Sequence, residues 1–341
     1  MMVDYIYLGD AREMLAQLDS DSVDCIVTSP PYYRLRDYGV SGQIGLESTP
    51  EEYIDRLVSV FNEARRVLKP DGTAWINIAD SYSGSGKGGA NYPDNAAKWK
   101  QGTNRGSVQA PLPVTHATNC KPKDMIGIPW MLAFALRKEG WYLRQDIIWH
   151  KPNCMPESVR DRCTKSHEYI FLLSKSPKYY FDSEAIAEDI AESSCTRYRQ
   201  DIGVQEGSTR VQGKKNGNMK AVFPRYGGKK YTEHPEQFYR TKSGSLYLPR
   251  PKRNKRDVWT IPTASYKEAH FATFPERLVE PCILAGCPAG GIVLDPFIGS
   301  GTIGYVAHRL GRHYIGCEIN QDYRELALKR IAAAAYQINL L

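Results

Sequence analysis

No stretch of the 341 residues approaches the roughly 18 consecutive apolar residues of a membrane span, so a membrane protein is not expected. Met1 to Gly9 carry Asp4 where a secretory leader would carry basic residues, and no targeting segment is read there. The expectation is a cytoplasmic protein. Eight cysteines are scattered along the chain (Cys25, Cys120, Cys154, Cys163, Cys195, Cys282, Cys287 and Cys317), and none stands in a CxxC pair. Zinc-ribbon spacing is therefore lacking and no metal site is expected, while a disulfide framework is out of place in so long a chain. There is no internal repeat. The chain is 42% hydrophobic and 24% charged, as expected of a globular protein whose core buries whole helices and strands.

The charge is unevenly placed. Net charge is +7 overall, but residues 193–256 hold sixteen Lys and Arg against four acids (Asp201, Glu206, Glu233, Glu236). The remainder is net acidic. A basic block on an acidic body suits a polyanion, although a solvated loop would have the same composition. Aromatic residues interleave with the charge here: Phe223, Tyr226, Tyr231, Phe238, Tyr239 and Tyr247. Bases stack on such rings while Lys and Arg neutralise phosphates.

Apolar patterning predicts a strand at Tyr5–Leu8, a helix at Ala11–Leu18 and a buried strand at Val23–Thr28. A helix over Pro50–Leu68 starts at Thr49 with Glu52 three residues on, a capping box. Lys69-Pro70-Asp71-Gly72 predicts a turn into a strand at Thr73–Ile78. Residues 83–119 shift to Gly, Ser, Asn, Lys and Pro, which predicts a long mobile excursion. A helix at Pro129–Lys138 and strands at Tyr142–His150 and Glu168–Ser174 follow. Beyond the basic block come a helix near Pro275–Ala285, a strand at Gly291–Leu294 and a helix at Thr302–Leu310. A strand at His313–Cys317 and a helix at Asp322–Ala335 complete the pattern. Strand–helix alternation at both ends predicts a doubly wound α/β sheet, with the basic block as an insertion.

Ile292 to Thr302 reads as strand, glycine loop and helix start. Glycines let a ligand approach the backbone, and a helix N-terminus favours an anionic group. The next strand ends in Glu318, placed to accept hydrogen bonds from ribose hydroxyls. Gly299, Gly301 and Gly304 also satisfy GxGxxG, a weak signal for a dinucleotide enzyme when it stands alone. Only 23 residues follow Glu318, too few for the rest of a dinucleotide sheet. The missing strands must come from the N-terminal half.

Thr28-Ser29-Pro30-Pro31-Tyr32 follows a buried strand directly, where α/β sheets place ligands. An amino group on a base is a poor nucleophile because its lone pair is delocalised into the ring. The Ser29 hydroxyl and the Pro30 carbonyl could accept its two hydrogens and aim the lone pair at a methyl sulfonium, while Tyr32 offers a stacking ring. Taken alone, the loop would be only a proline-rich turn.

In this order the motifs resemble the DNA amino-methyltransferases that make N4-methylcytosine or N6-methyladenine, in their permuted (β) arrangement. There the catalytic loop precedes the target-recognition region and the cofactor loop comes last. The likeness covers roughly residues 1–82, 121–182 and 257–335. Gly9-Asp10 resembles the family's acid at the cofactor adenine, and Ser29, Pro30, Pro31 and Tyr32 its catalytic loop. Ile147 to Asn153 and His167-Glu168-Tyr169 match its central strands. His270 to Pro275, including Phe274 and Pro275, match the helix start that holds the methionine end. Asp295, Phe297, Gly299, Ser300, Gly301 and Thr302 match the cofactor loop, and Glu318 the ribose acid.

The resemblance implies a Rossmann-like methyltransferase fold, a doubly wound mixed sheet interrupted by a target-recognition region. It divides the chain into a first catalytic part (1–182), a basic recognition region (183–256) and a second catalytic part (257–341). It also implies S-adenosylmethionine as cofactor without a metal, and double-stranded DNA as partner with base flipping. The family often dimerises, and a cognate restriction endonuclease is a further partner that the likeness suggests. Serine at the first loop position usually accompanies cytosine N4 and aspartate adenine N6, with exceptions both ways, so cytosine is favoured and adenine stays open. Pro281-Cys282 is the dipeptide of a 5-methylcytosine nucleophile, but it sits in an apolar helical run without a cationic neighbour and is read as core.

Overall fold

The computed structural model describes residues 2–35, 37–83, 119–189, 239–240, 246–247, 252–265 and 272–338. The excursion expected at 83–119 lies almost wholly outside them, as do Phe223, Tyr226, Tyr231, Phe238, His270 and Phe271. The chain separates into two compact units, residues 1–185 with 256–341, and residues 186–255.

The larger unit is built on one eight-stranded sheet. Its strands in chain order are β1 (Tyr5–Leu8), β2 (Val23–Thr28), β3 (Leu68–Ile78), β4 (Tyr142–His150) and β5 (His167–Ser174), then β10 (Val258–Thr260), β13 (Ile292–Asp295) and β14 (His313–Glu318). Their spatial order is β1-β14-β13-β2-β3-β5-β4-β10, and only β5 runs against its neighbours. A small antiparallel pair, β11 (Ala264–Ser265) with β12 (Ala272–Thr273), stands apart from it.

Helices cover both faces because the central strands alternate between two apolar layers. Ile26, Ala74, Ile76 and Leu294 join the core under α1 (Ala11–Ala16), α2 (Pro50–Val67) and α3 (Ile128–Lys138). Cys25 and Trp75 point the other way, against Gly286 at the end of α4 (Glu276–Gly286). That layer is continued by α5 (Thr302–Arg309) and α6 (Gln321–Ile338). The capping box at Thr49 forms as its sequence suggests: Glu52 N–H donates to Thr49 Oγ1 at 3.2 Å, and Thr49 N–H to the Glu52 carboxylate at 3.2 Å.

Two local readings are corrected. Lys69–Gly72 does not separate α2 from the strand; β3 begins at Leu68. Leu68 pairs with Val23, Thr73 with Cys25, and the four residues between form a bulge where Lys69 Nζ reaches Asp24 at 2.6 Å. The helix expected to reach Leu18 stops at Ala16, and Leu18 N–H closes a turn onto the Leu15 carbonyl.

The crossover from β13 through α5 leads to β14 on one side, and that from β2 through α2 leads to β3 on the other. Between β13 and β2 the winding reverses, and such a switch point opens a crevice at the strands' C-terminal ends. The two loops singled out in the sequence both leave from there.

The smaller unit contributes short antiparallel pairs: β6 (Glu188–Asp189) with β9 (Lys252–Arg253), and β7 (Tyr239–Arg240) with β8 (Leu246–Tyr247). Glu188 carries ion pairs to Arg253 at 3.5 Å and Lys255 at 3.4 Å. The remainder of the basic block lies outside the described residues.

Candidate active site

A cavity of about 330 Å³ opens at the switch point. Of the residues picked out in the sequence, Asp10, Ser29, Pro30, Pro31, Tyr32, Phe274, Asp295, Phe297, Gly299, Ser300, Thr302 and Glu318 line it. Register explains how residues so far apart in sequence meet. Val293 pairs with Cys25 and Leu294 with Ile26, so the loops after β2 and β13 emerge side by side. Thr28 Oγ1 donates to Asp295 Oδ1 at 2.6 Å, joining the two loops inside the protein.

Asp295 has no exposed surface. Its Oδ1 also accepts the Phe297 N–H at 3.0 Å, whereas its Oδ2 is buried without a hydrogen-bond partner among the described residues. Burial pushes the Asp295 carboxyl up to about 7, against the pull of its two donors. Glu318 is likewise raised by burial. Its oxygens accept N–H groups from Gly299 and Asn320, each at 2.9 Å, so Glu318 braces the glycine loop. Asp10 caps α1 by accepting from Arg12 N–H at 2.9 Å and Glu13 N–H at 3.2 Å.

Two expected cofactor residues are not among those lining the cavity, Pro275 and Gly301. Pro275 is the N-cap of α4. Gly301 has φ of +80°, and a Cβ there would lie 2.8 Å from the Cα of Ala327 on α6. It is a packing glycine under the loop. Gly301→Ala is expected to destabilise the fold by about 2 kcal/mol or more, from strain and overpacking together. A lowered melting temperature with cofactor present and absent alike is the check.

On the other side of the cavity the Ser29–Tyr32 loop is held from below. Tyr53 Oη donates to the Pro31 carbonyl at 2.7 Å, engaging that acceptor and leaving the Pro30 carbonyl and the Ser29 hydroxyl for the role foreseen in the sequence. Tyr32 also makes polar contacts. Its phenol donates to Glu168 Oε2 at 2.7 Å and lies 3.0 Å from Asn77 Oδ1. Burial, then the Glu168 charge, hold this phenol far above its ordinary range, so it stays protonated and donating. Ser29 Oγ donates to Asn77 Oδ1 at 3.4 Å, and Lys151 Nζ pairs with Glu168 Oε1 while lying 4.3 Å from the Trp149 ring centre.

Asn77, Trp149, Lys151 and Glu168 line the cavity but were read only as parts of strands. A signal existed for Asn77, a lone amide in the apolar run Thr73–Ile78. Arg330 was also missed. Only 7% exposed, it reaches from α6 to Thr302 Oγ1 at 2.8 Å, Ser300 Oγ at 3.4 Å and Glu276 at 2.9 Å, tying the cofactor loop to α4. Cys282 is buried in α4, where its thiol donates to the Leu278 carbonyl, and it does not line the cavity. The reading of Cys282 as core agrees with this position.

A protein-family model described as DNA methylase, of the N6/N4 methyltransferases, matches residues 23–329. The chain belongs to that family. It is 44% identical to the type II methyltransferase M.SmaI of Serratia marcescens over 326 residues, covering 96% of this chain and 90% of the relative. To M.Cfr9I of Citrobacter freundii it is 43% identical, covering 96% and 87%. Among solved structures, the cytosine-N4-specific PvuII DNA methyltransferase superposes with a TM-score of 0.57 at 18% identity, over 99% of this chain and 93% of the other. A DNA modification methylase from Thermus thermophilus, solved with S-adenosyl-L-methionine, gives 0.54 at 22% identity over 97% and 94%. These two likenesses are of fold. A DNA methyltransferase must bring a base and a methyl donor into one cavity. No helix among the described residues is long and apolar enough to cross a membrane.

Proposed function

We propose that this DNA methyltransferase is a type II modification enzyme that methylates N4 of a flipped cytosine, with S-adenosylmethionine lying along the Asp295–Thr302 loop. The observation that carries this reading is the Thr28–Asp295 hydrogen bond, which sets the Ser-Pro-Pro-Tyr loop beside the glycine loop in one cavity. The donor fits the residues present. Asp295 Oδ2 is a buried carboxyl oxygen without a hydrogen-bond partner among the described residues, suited to the donor's ammonium group. Glu318 retains lone pairs for ribose hydroxyls, Asp10 and Phe297 stand where the adenine would lie, and Phe274 borders the methionine end. When bound, the donor would supply an electrophilic methyl on a cationic sulfur: the amino lone pair would take the methyl, the S–C electron pair would stay on sulfur, and one amino proton would pass to solvent.

The protein supplies orientation. Ser29 Oγ and the Pro30 carbonyl accept the amino hydrogens, and Tyr32 stacks on the base. Serine at position 29, which in the family usually accompanies cytosine N4, supports cytosine over adenine. Residues 183–256 would grip duplex phosphates and read base edges, with the target base swung out at a cost of about a few kcal/mol. A homodimer and a cognate restriction endonuclease accompany this reading as expectations from the family.

Mass spectrometry of nucleosides from treated DNA tests it. N4-methylcytosine is expected; N6-methyladenine would overturn the choice of base, and no methylated base would overturn the activity. With residues 193–256 replaced by a short Gly/Ser linker, titration calorimetry should still show cofactor binding while the methylated nucleoside is lost.

A further inference from the structure

Glu168 is the acidic side chain of the cavity's base-binding half that the catalytic loop does not account for. We propose that Glu168, paired with Lys151, is a positioning residue that fixes the amide orientation of Asn77 and thereby makes the Ser29 hydroxyl an acceptor toward the target amino group. This deepens the proposed function and rests on it.

The two ends of an asparagine amide have nearly the same shape, so its neighbours decide which way it points. Asn77 is 1% exposed on β3. Its Nδ2 carries two hydrogens and has two acceptors at hand, Glu168 Oε2 at 3.1 Å and the Tyr169 carbonyl at 3.1 Å. Its oxygen is therefore turned to the catalytic loop, where the Ser29 and Tyr32 hydroxyls approach it.

A serine hydroxyl has one proton. Directed at Asn77, that proton leaves the oxygen lone pairs of Ser29 for an amino N–H in the cavity. A reversed amide would donate to Ser29 and turn its proton toward the base, setting a donor against a donor. An ionised carboxylate only accepts, so Glu168 excludes the reversed amide. Lys151, over the Trp149 ring, pairs with the other oxygen, Oε1, which leaves Oε2 to Asn77 and Tyr32. The same carboxylate accepts the Tyr32 phenol's hydrogen bond, so one side chain contacts both Asn77 and Tyr32.

Glu168→Gln tests the proposal, since a glutamine can present a donor to Asn77. The expected result is a fall in kcat of about 100-fold, with dissociation constants for S-adenosylmethionine and DNA within about twofold of the unaltered enzyme. Ser29→Ala and the double variant, made in a Tyr32→Phe background so that the phenol's bond to Glu168 is removed from the comparison, complete a cycle. If Glu168 acts through Ser29, the double variant is no slower than Ser29→Ala alone; losses that multiply would overturn the proposal. So would a Glu168→Gln enzyme within threefold of normal kcat, or one whose loss lies in cofactor affinity. Should Glu168→Gln fail to fold with Lys151 unpaired, Glu168→Gln with Lys151→Gln removes both charges and is read in the same way. The unaltered enzyme run alongside keeps the two readings apart: methylated DNA from it with an unimpaired Glu168→Gln sinks only this inference, and no product from it sinks both.

Discussion

Replacing Asp295 with Asn is expected to weaken S-adenosylmethionine binding about 100-fold while leaving the fold in place. The amide can keep the acceptor roles of Oδ1 toward Thr28 and Phe297. At the other position an N–H group replaces the partnerless oxygen and meets the donor's ammonium as a second hydrogen-bond donor. Breaking one half of a buried ion pair costs roughly 3 kcal/mol or more, which sets the expected factor. Acid should mimic the substitution. The Asp295 carboxyl is held up at about 7 in the fold, against 3.8 for an ordinary one. The ligand-free protein therefore keeps this group's contribution to stability below about pH 4 and loses it as pH rises through 7. A cationic ligand has the opposite preference, because it binds the ionised form. Its affinity should rise with pH, by up to about tenfold per unit below pH 7, as one proton is released. Titration calorimetry between pH 5.5 and 7 would measure both effects, and a pH slope that survives in Asp295→Asn would assign the proton to another group.

The second large effect lies across the cavity. Tyr32→Ala should lower kcat by about 1,000-fold and leave cofactor affinity within about twofold. It removes the stacking ring and takes the phenol from Glu168, so the flipped base loses its support and a carboxylate its donor. Tyr32→Phe separates the two contributions: the ring stays, the phenol goes, and the loss should shrink to about tenfold. Single-turnover methylation with cofactor saturating is the measurement. Full activity in Tyr32→Ala would remove Tyr32 from the mechanism.

Much of the frame was legible because its cause is local. Val23–Thr28 and Tyr142–His150 are strands with the bounds read from their apolar runs, and Thr49 caps α2 because its partner stands three residues away. The bulge at Lys69–Gly72 was read as a turn because Pro70, Asp71 and Gly72 are turn residues. What keeps them beside the sheet is Lys69 reaching Asp24, a contact 45 residues away. Glu168 was hidden for the same reason, since Asn77, Lys151 and Tyr32 meet it only after β3, β5 and β4 align. Gly301 shows the limit of a motif. Its type and place were read from the glycine loop, but whether its backbone faces the ligand or Ala327 depends on a helix that comes later in the chain.

The interleaving of early and late strands also has a consequence for biosynthesis. Among the described residues β1 pairs with β14 alone, and β2 is flanked on one side by β13, so β1 and β2 leave the ribosome with unpaired edges. Most of the polypeptide must be translated before those edges are closed, a topology of high contact order and slow assembly. Catalysis would therefore begin only once β14 has emerged, and a prematurely terminated product would offer a sticky strand to neighbouring nascent chains in place of a working pocket.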